Sequence, residues 1–109
     1  MDLEELIMNI IADGGEVKSK AMEAIRAAKK DEFSIAEKKM KECEEAMDRA
    51  HQIQTELLTC EAAQTEKVTV SLLMVHAQDH LMNAITISNL ATEFIDMYKK
   101  MNKILSGGE

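Results

Sequence analysis

The sequence predicts an all-α protein, an antiparallel three-helix bundle that associates with further copies of itself. Three observations predict it. The 109 residues contain no proline and only four glycines, in the doublets Gly14-Gly15 and Gly107-Gly108, so the turn chemistry of a many-stranded fold is missing. Apolar residues recur at alternating steps of four and three over three long stretches, the period of a helix with one buried face. The third stretch carries a second apolar face, more than two neighbouring helices need. With 46% hydrophobic and 30% charged residues at a length suited to one core, the chain reads as a single domain over residues 1–109.

The first helix runs from Leu3, with the stripe Leu3, Ile7, Ile10, Gly14, Val17, Ala21, Ala24 and Ala28. The stripe keeps its phase across Gly14-Gly15, which predicts one kinked or thinned helix there and not two elements. Asp2, Glu4 and Glu5 suit its positive N-terminal end, and Lys29-Lys30 its C-terminal end. Ser34-Ile35-Ala36-Glu37 has the form of a capping box and predicts the start of the second helix. The stripe of that helix is Ala36, Met40, Cys43, Met47, Ala50, Gln54 and Leu57, with Lys38, Lys39, Glu42, Glu45 and Asp48 on the wet side. Cys43 lies in the stripe, which predicts a buried, unreactive thiol; Cys60, near the helix end, has no assigned role. Residues 62–69 hold no sustained stripe and are read as the connection.

The third helix is expected from near residue 70 to about residue 105. Its stripe is Val70, Met74, Ala77, Leu81, Ala84, Ser88, Ala91, Ile95 and Tyr98. Leu72, Val75 and Met82, then Phe94, Met97 and Met101, form the second apolar face. Burial of that face against other copies is the expectation it raises.

Composition also excludes functions. Thirteen basic against twenty acidic residues give a net charge of −7, which argues against nucleic acid or an anionic membrane as the main partner. No apolar run has the length of a membrane span, and residues 1–5 do not resemble a signal peptide. The two cysteines form no CxxC or Cys/His ligand pattern, so a reduced, cytoplasmic protein is expected. Gly14-Gly15 matches no phosphate-binding loop.

The chemistry-bearing residues lie in the most apolar part of the chain, where His76-Ala77-Gln78-Asp79-His80 interrupts residues 70–82. His76 and His80, four apart, share one helix face, whereas Asp79 falls on the face of Leu72, Val75 and Met82. An ionised carboxylate there needs a cation or a proton. Three readings stay open on spacing alone. The cluster could be a polar network that fixes how subunits register. It could be a zinc site built on His76 and His80, although Ala77 stands where the HExxH motif has its glutamate. Or a histidine could be a nucleophile tuned by its neighbours. His51, beside the second stripe, is expected to be a hydrogen-bonded structural residue.

Val75-His76-Ala77-Gln78-Asp79-His80-Leu81-Met82 resembles the signature of the lactose/cellobiose family of enzyme IIA proteins, components of the bacterial phosphoenolpyruvate-dependent sugar phosphotransferase system. The likeness extends to residues 21–25, to Ala50-His51 with Gln54-Thr55, and to residues 90–99. It implies a homotrimer of three-helix protomers and a phosphocarrier activity. His76 would accept a phosphoryl group from the carrier protein HPr and pass it to a cysteine of enzyme IIB, for phosphorylation of a sugar entering through enzyme IIC. His80 and Gln78 would support the transfer. Asp79 would face the three-fold axis and help hold a divalent cation, for which all-oxygen ligation favours Mg²⁺. Ala77, where lactose members tend to have glycine, leans the reading towards cellobiose, chitobiose or aryl-β-glucosides. The absence of glycine from residues 61–69 predicts a locally different loop. Exposed apolar side chains, Met74 or Leu73, are expected around His76 to meet its partners. The competing readings are a non-enzymatic helical adaptor with a structural His/Asp cluster and a zinc-dependent catalyst.

Overall fold

The computed structural model describes residues 2–64 and 68–107, and among them every regular element is a helix. The order is α1 (Leu3–Lys29), α2 (Phe33–Ala63) and α3 (Leu72–Leu105). They run up, down and up. Ile7 shares a core cluster with Met74, and Ala28 shares another with Ile95, so α1 and α3 are parallel with α2 antiparallel to both. The result is a rod of 60 × 21 × 17 Å.

The first stripe is buried as its period predicts, from Ile7 through Ile10, Gly14, Val17, Ala21 and Ala24 to Ala28. Asp2 caps α1 by accepting from the Glu5 backbone N–H at 3.1 Å. The helix passes unbroken through Gly14-Gly15. The thinning has a different use: a Cβ on Gly14 would stand 3.6 Å from the His80 carbonyl oxygen, in van der Waals contact with α3. Gly14 is where α1 lies against the backbone of the His/Asp cluster.

The α1–α2 turn is tight. The Glu32 N–H donates to the Ala27 carbonyl at 2.9 Å, and Asp31 takes the left-handed conformation with φ 60°. This overrides the capping box expected at Ser34. Glu32 occupies the cap position and its side chain makes no capping bond, while Ser34 is already helical and exposed. Phe33 packs against the cluster of Ala24, Ala36 and Ile95, and that tertiary anchor sets where α2 begins.

The second helix ends later than the polarity of its last turns suggests. Gln64 terminates it in the left-handed conformation that glycine usually supplies. At the other side of the connection Ser71 caps α3, accepting from the Met74 N–H at 3.1 Å. The third helix thus starts two residues past the expected position and leaves Val70 exposed. Residues 65–67, in the glycine-free connection, lie outside the described residues.

The core contains few large side chains; Ile10, Leu81, Val17 and Cys43 are the largest fully buried ones. Beyond Ile10 and Leu81 runs a seam of alanines, with Ala21, Ala46, Ala84 and Ala91 beside Val17 and Cys43 in one cluster and Ala24, Ala28 and Ala36 in the next. Cys43 is buried, as its place in the stripe implies, and its thiol donates to the Val17 carbonyl at 3.4 Å. Cys60 is half-buried.

Ion pairs fix the register of α1 against α2. Lys20 meets Glu42 at 3.1 Å, Lys39 bridges Glu23 and Glu42, and Arg49 reaches both Asp13 and Glu16. Each such exposed pair contributes little, so the apolar seam carries the packing. Helix α1 packs along both partners, whereas α2 and α3 meet only sparsely. A groove therefore opens between them near the start of α3.

Candidate functional site

The cluster occupies the second and third turns of α3, and helical geometry sorts its members by face. Ala77 and Leu81 point into the core and are buried, which orients the rest. His76 is exposed, and His80 is half-buried against α1. Their ring centroids are 4.8 Å apart and their planes meet at 81°, an edge-to-face arrangement. The spacing of four has put the two imidazoles together, as the sequence indicates.

A partner for His80 comes from another helix. Lys18 on α1 donates from Nζ to His80 Nδ1 at 3.0 Å. An ammonium group only donates, so Nδ1 is the bare nitrogen and the ring proton of neutral His80 is on Nε2. Burial, then the Lys18 charge and then His76, hold His80 below the ordinary histidine range, against a smaller opposing pull from Asp79. His80 is thereby kept neutral, with one N–H to donate. Lys18 was not legible as a site residue, because it is 62 positions away.

Asp79 and Gln78 face elsewhere. Both line the groove between α2 and α3, a cavity of about 510 Å³ walled by Leu57, Leu58, Met74, Val75 and Met82. Within the protomer the Gln78 amide reaches the Met74 sulfur at 3.8 Å and does not approach His76 as a hydrogen-bonding partner. Asp79 is exposed among exposed apolar residues, with Val75 on one side and Met82 on the other. The second apolar face of α3 is therefore uncovered in the protomer, continuing through Phe94, Met97 and Met101.

The surroundings of His76 differ in one respect from expectation. A shallow apolar recess beside it is made by Leu72 and Leu73. Met74 is instead a buried core residue, because it continues the stripe of Ala77 and Leu81. His51 lies on the outer side of α2 with Asp48, Gln52 and Thr55, exposed and not in the structural role expected of it.

Metal chemistry within one protomer lacks ligands. Among the described residues no three His, Cys, Asp or Glu side chains gather as a ligand set. The zinc reading of His76 and His80 lacks its third protein ligand. Asp79 contributes one carboxylate per protomer to the uncovered face of α3. Among the described residues no helix is long and apolar enough to cross a membrane.

Comparison with known proteins agrees with this geometry. A family described as the PTS system, lactose/cellobiose-specific IIA subunit, matches residues 5–99. The lichenan-specific phosphotransferase enzyme IIA component of Bacillus subtilis is 47% identical over 102 residues, 94% of this chain and 92% of that one. The crystal structure of the PTS cellobiose-specific enzyme IIA from Bacillus anthracis superposes with a TM-score of 0.88 at 45% identity, covering 94% of this chain and 93% of the other. The chitobiose IIA protein of Escherichia coli, solved in complex with HPr, gives a TM-score of 0.80 at 36% identity and covers 94% and 98% of the two chains. The chain belongs to the lactose/cellobiose-specific IIA family of the sugar phosphotransferase system and is a phosphotransferase component of it.

Proposed function

We propose that this IIA component is a phosphocarrier in which His76 receives the phosphoryl group from phosphorylated HPr and delivers it to a cysteine of enzyme IIB. The observation that carries the reading is the exposed His76 ring with neutral His80 edge-on to it at 4.8 Å, on a helix of a IIA-family chain. A neutral imidazole nitrogen supplies its lone pair to phosphorus as the bond from phosphorus to the donor breaks. In the second step the enzyme IIB sulfur forms its bond to phosphorus and the imidazole leaves. Such in-line transfer requires positioning and charge stabilisation more than covalent help. The His80 N–H is a hydrogen-bond donor for the phosphoryl oxygens on His76, and Leu72 and Leu73 offer an apolar landing surface beside it.

The working unit of the proposal is a cytoplasmic homotrimer. Its support is the uncovered face of α3, with the groove beside it open to a neighbour. Gln78, turned away from its own His76, would act towards a neighbouring protomer's site. Asp79 lies on the same uncovered face, and three copies meeting there fit a hard divalent cation such as Mg²⁺, which would neutralise their charge. The transported sugar is proposed as cellobiose, chitobiose or an aryl-β-glucoside in preference to lactose. Ala77 and the similarity to lichenan- and cellobiose-specific relatives support that choice.

Labelling from phosphoenolpyruvate through enzyme I and HPr tests the proposal. Wild type should take up alkali-stable, acid-labile label, and His76→Gln should take up none. His80→Gln should retain more transfer than His76→Gln. Equal labelling of wild type and His76→Gln would end the assignment.

A further inference from the structure

We infer that Lys18 is a positioning residue of the transfer site, holding His80 in the single tautomer that presents an N–H beside His76. The inference rests on the phosphocarrier reading and extends it to a residue of another helix. Three features of the structure lead to it.

The first is the contact itself. Lys18 Nζ is 3.0 Å from His80 Nδ1 in a part-buried setting. A free neutral imidazole exchanges its proton between the two nitrogens, so as a donor it is correctly oriented only part of the time. A donor-only ammonium on Nδ1 removes one of those states and leaves the proton on Nε2. A hydrogen bond to the far ring nitrogen also fixes how the ring is turned, here with its centroid 4.8 Å from that of His76.

The second feature is the company Lys18 keeps. Three cations of α1 and α2 pair with carboxylates: Lys20 with Glu42, Lys39 with Glu23, and Arg49 with Asp13 and Glu16. Among the described residues Lys18 has no carboxylate within ion-pair distance and spends its hydrogen bond on an uncharged ring nitrogen. Its charge is left uncompensated next to the histidine pair, where a phosphoryl dianion would arrive.

The third is the packing that makes the contact reproducible. Gly14, one helical turn before Lys18, packs directly on the His80 backbone, with only the room of an ordinary van der Waals contact, 3.6 Å to the carbonyl oxygen, for a Cβ. The base of the Lys18 side chain is thus held at a fixed separation from the ring it serves.

The test uses ring-nitrogen NMR of the intact protein together with the rate of transfer from phosphorylated HPr. In wild type, His80 should show a bare, pyridine-like Nδ1 and a protonated Nε2. Lys18→Met should convert it to an exchange-averaged mixture and slow transfer by about tenfold, the lower end of the loss expected when a residue that orients another is removed. Lys18→Gln serves as the second variant if Lys18→Met folds poorly. Lys18→Arg keeps a donor-only cation and should retain both tautomer and rate. An unchanged tautomer in Lys18→Met, or a changed tautomer with an unchanged rate, would overturn the inference. So would an equal loss in Lys18→Arg, which would make the effect one of shape. Failure of wild type to label at all would instead overturn the phosphocarrier reading, and the NMR arm would still decide the role of Lys18 on His80.

Discussion

Truncating Met82 separates the trimer proposal from the stability of the protomer. The side chain is 57% exposed in the protomer and lies on the uncovered face of α3 beside the α2–α3 groove. Complete burial of a methionine contributes roughly 2 kcal/mol, so covering the exposed half contributes about 1 kcal/mol per protomer and on the order of 3 kcal/mol per trimer. At about 1.4 kcal/mol per tenfold, Met82→Ala should raise the trimer–monomer dissociation constant by about two orders of magnitude. Because more than half of this side chain is exposed in the protomer, the fold of the single chain should change less than the assembly. Sedimentation equilibrium over a dilution series reads the shift directly. The control is Met8→Ala, since Met8 is 49% exposed but stands on α1, away from that face. If both variants dissociate alike, or if wild type sediments as a monomer at micromolar concentration, burial of the α3 face is not what assembles the protein.

Two further outcomes are expected. Three carboxylates brought to a shared axis at roughly 4 Å repel by on the order of 4 kcal/mol per pair at an effective dielectric of about 20. Asp79→Leu removes both the repulsion and the need for a cation, so it should remain trimeric and become insensitive to chelators in light scattering; a fall to monomers would mean that the carboxylate–cation contact held the trimer. Burial pushes the Cys43 thiol up, only partly offset by the Ser88 hydroxyl. Its thiol form is thus favoured by folding: the contribution is complete below the ordinary thiol range and is lost as pH rises through the elevated value. A thiol reagent at neutral pH should titrate Cys60 and spare Cys43, and thermal melts of Cys43→Ala should decline less steeply with alkalinity than wild type; ready modification of native Cys43 would contradict the buried assignment.

What could be read before folding was whatever repeats along one helix. The stripes of α1 and α3 place Ile7, Ile10, Val17, Met74, Leu81 and Ile95 in the core, and all are buried. Ala27 and Ala46 escaped the stripes, because alanine is small enough to belong to either side until its neighbours are known. The pairing of His76 with His80 follows from their spacing of four. Met74 is a core residue and not a landing residue: the flexibility of methionine suggests a contact surface, but the stripe places Met74 in line with Ala77. Ser34-Glu37 has capping chemistry, yet the tight turn at Asp31 and the packing of Phe33 start the helix earlier. Neither the Lys18 contact nor the groove between α2 and α3 could be read in advance. Both depend on how far apart helices lie, which no single-helix pattern contains.

The alanine seam bears on more than packing. A methyl group has no side-chain torsion that moves a heavy atom, so contacts such as those of Ala21 and Ala84 cannot be relaxed by one side chain swinging aside. Where leucines and methionines interdigitate, a helix can slide or roll by a fraction of an ångström as its neighbours adjust. Along this seam, backbone bears almost directly on backbone, and such play is taken out of the joint. From Ala84 to Ala91 the helix that carries His76 is set like a shaft in a close bearing. On the phosphocarrier proposal, two successive partners would meet His76 on a helix whose following turns are held in this way, and the compliance that each docking needs would be left to the exposed side chains around it.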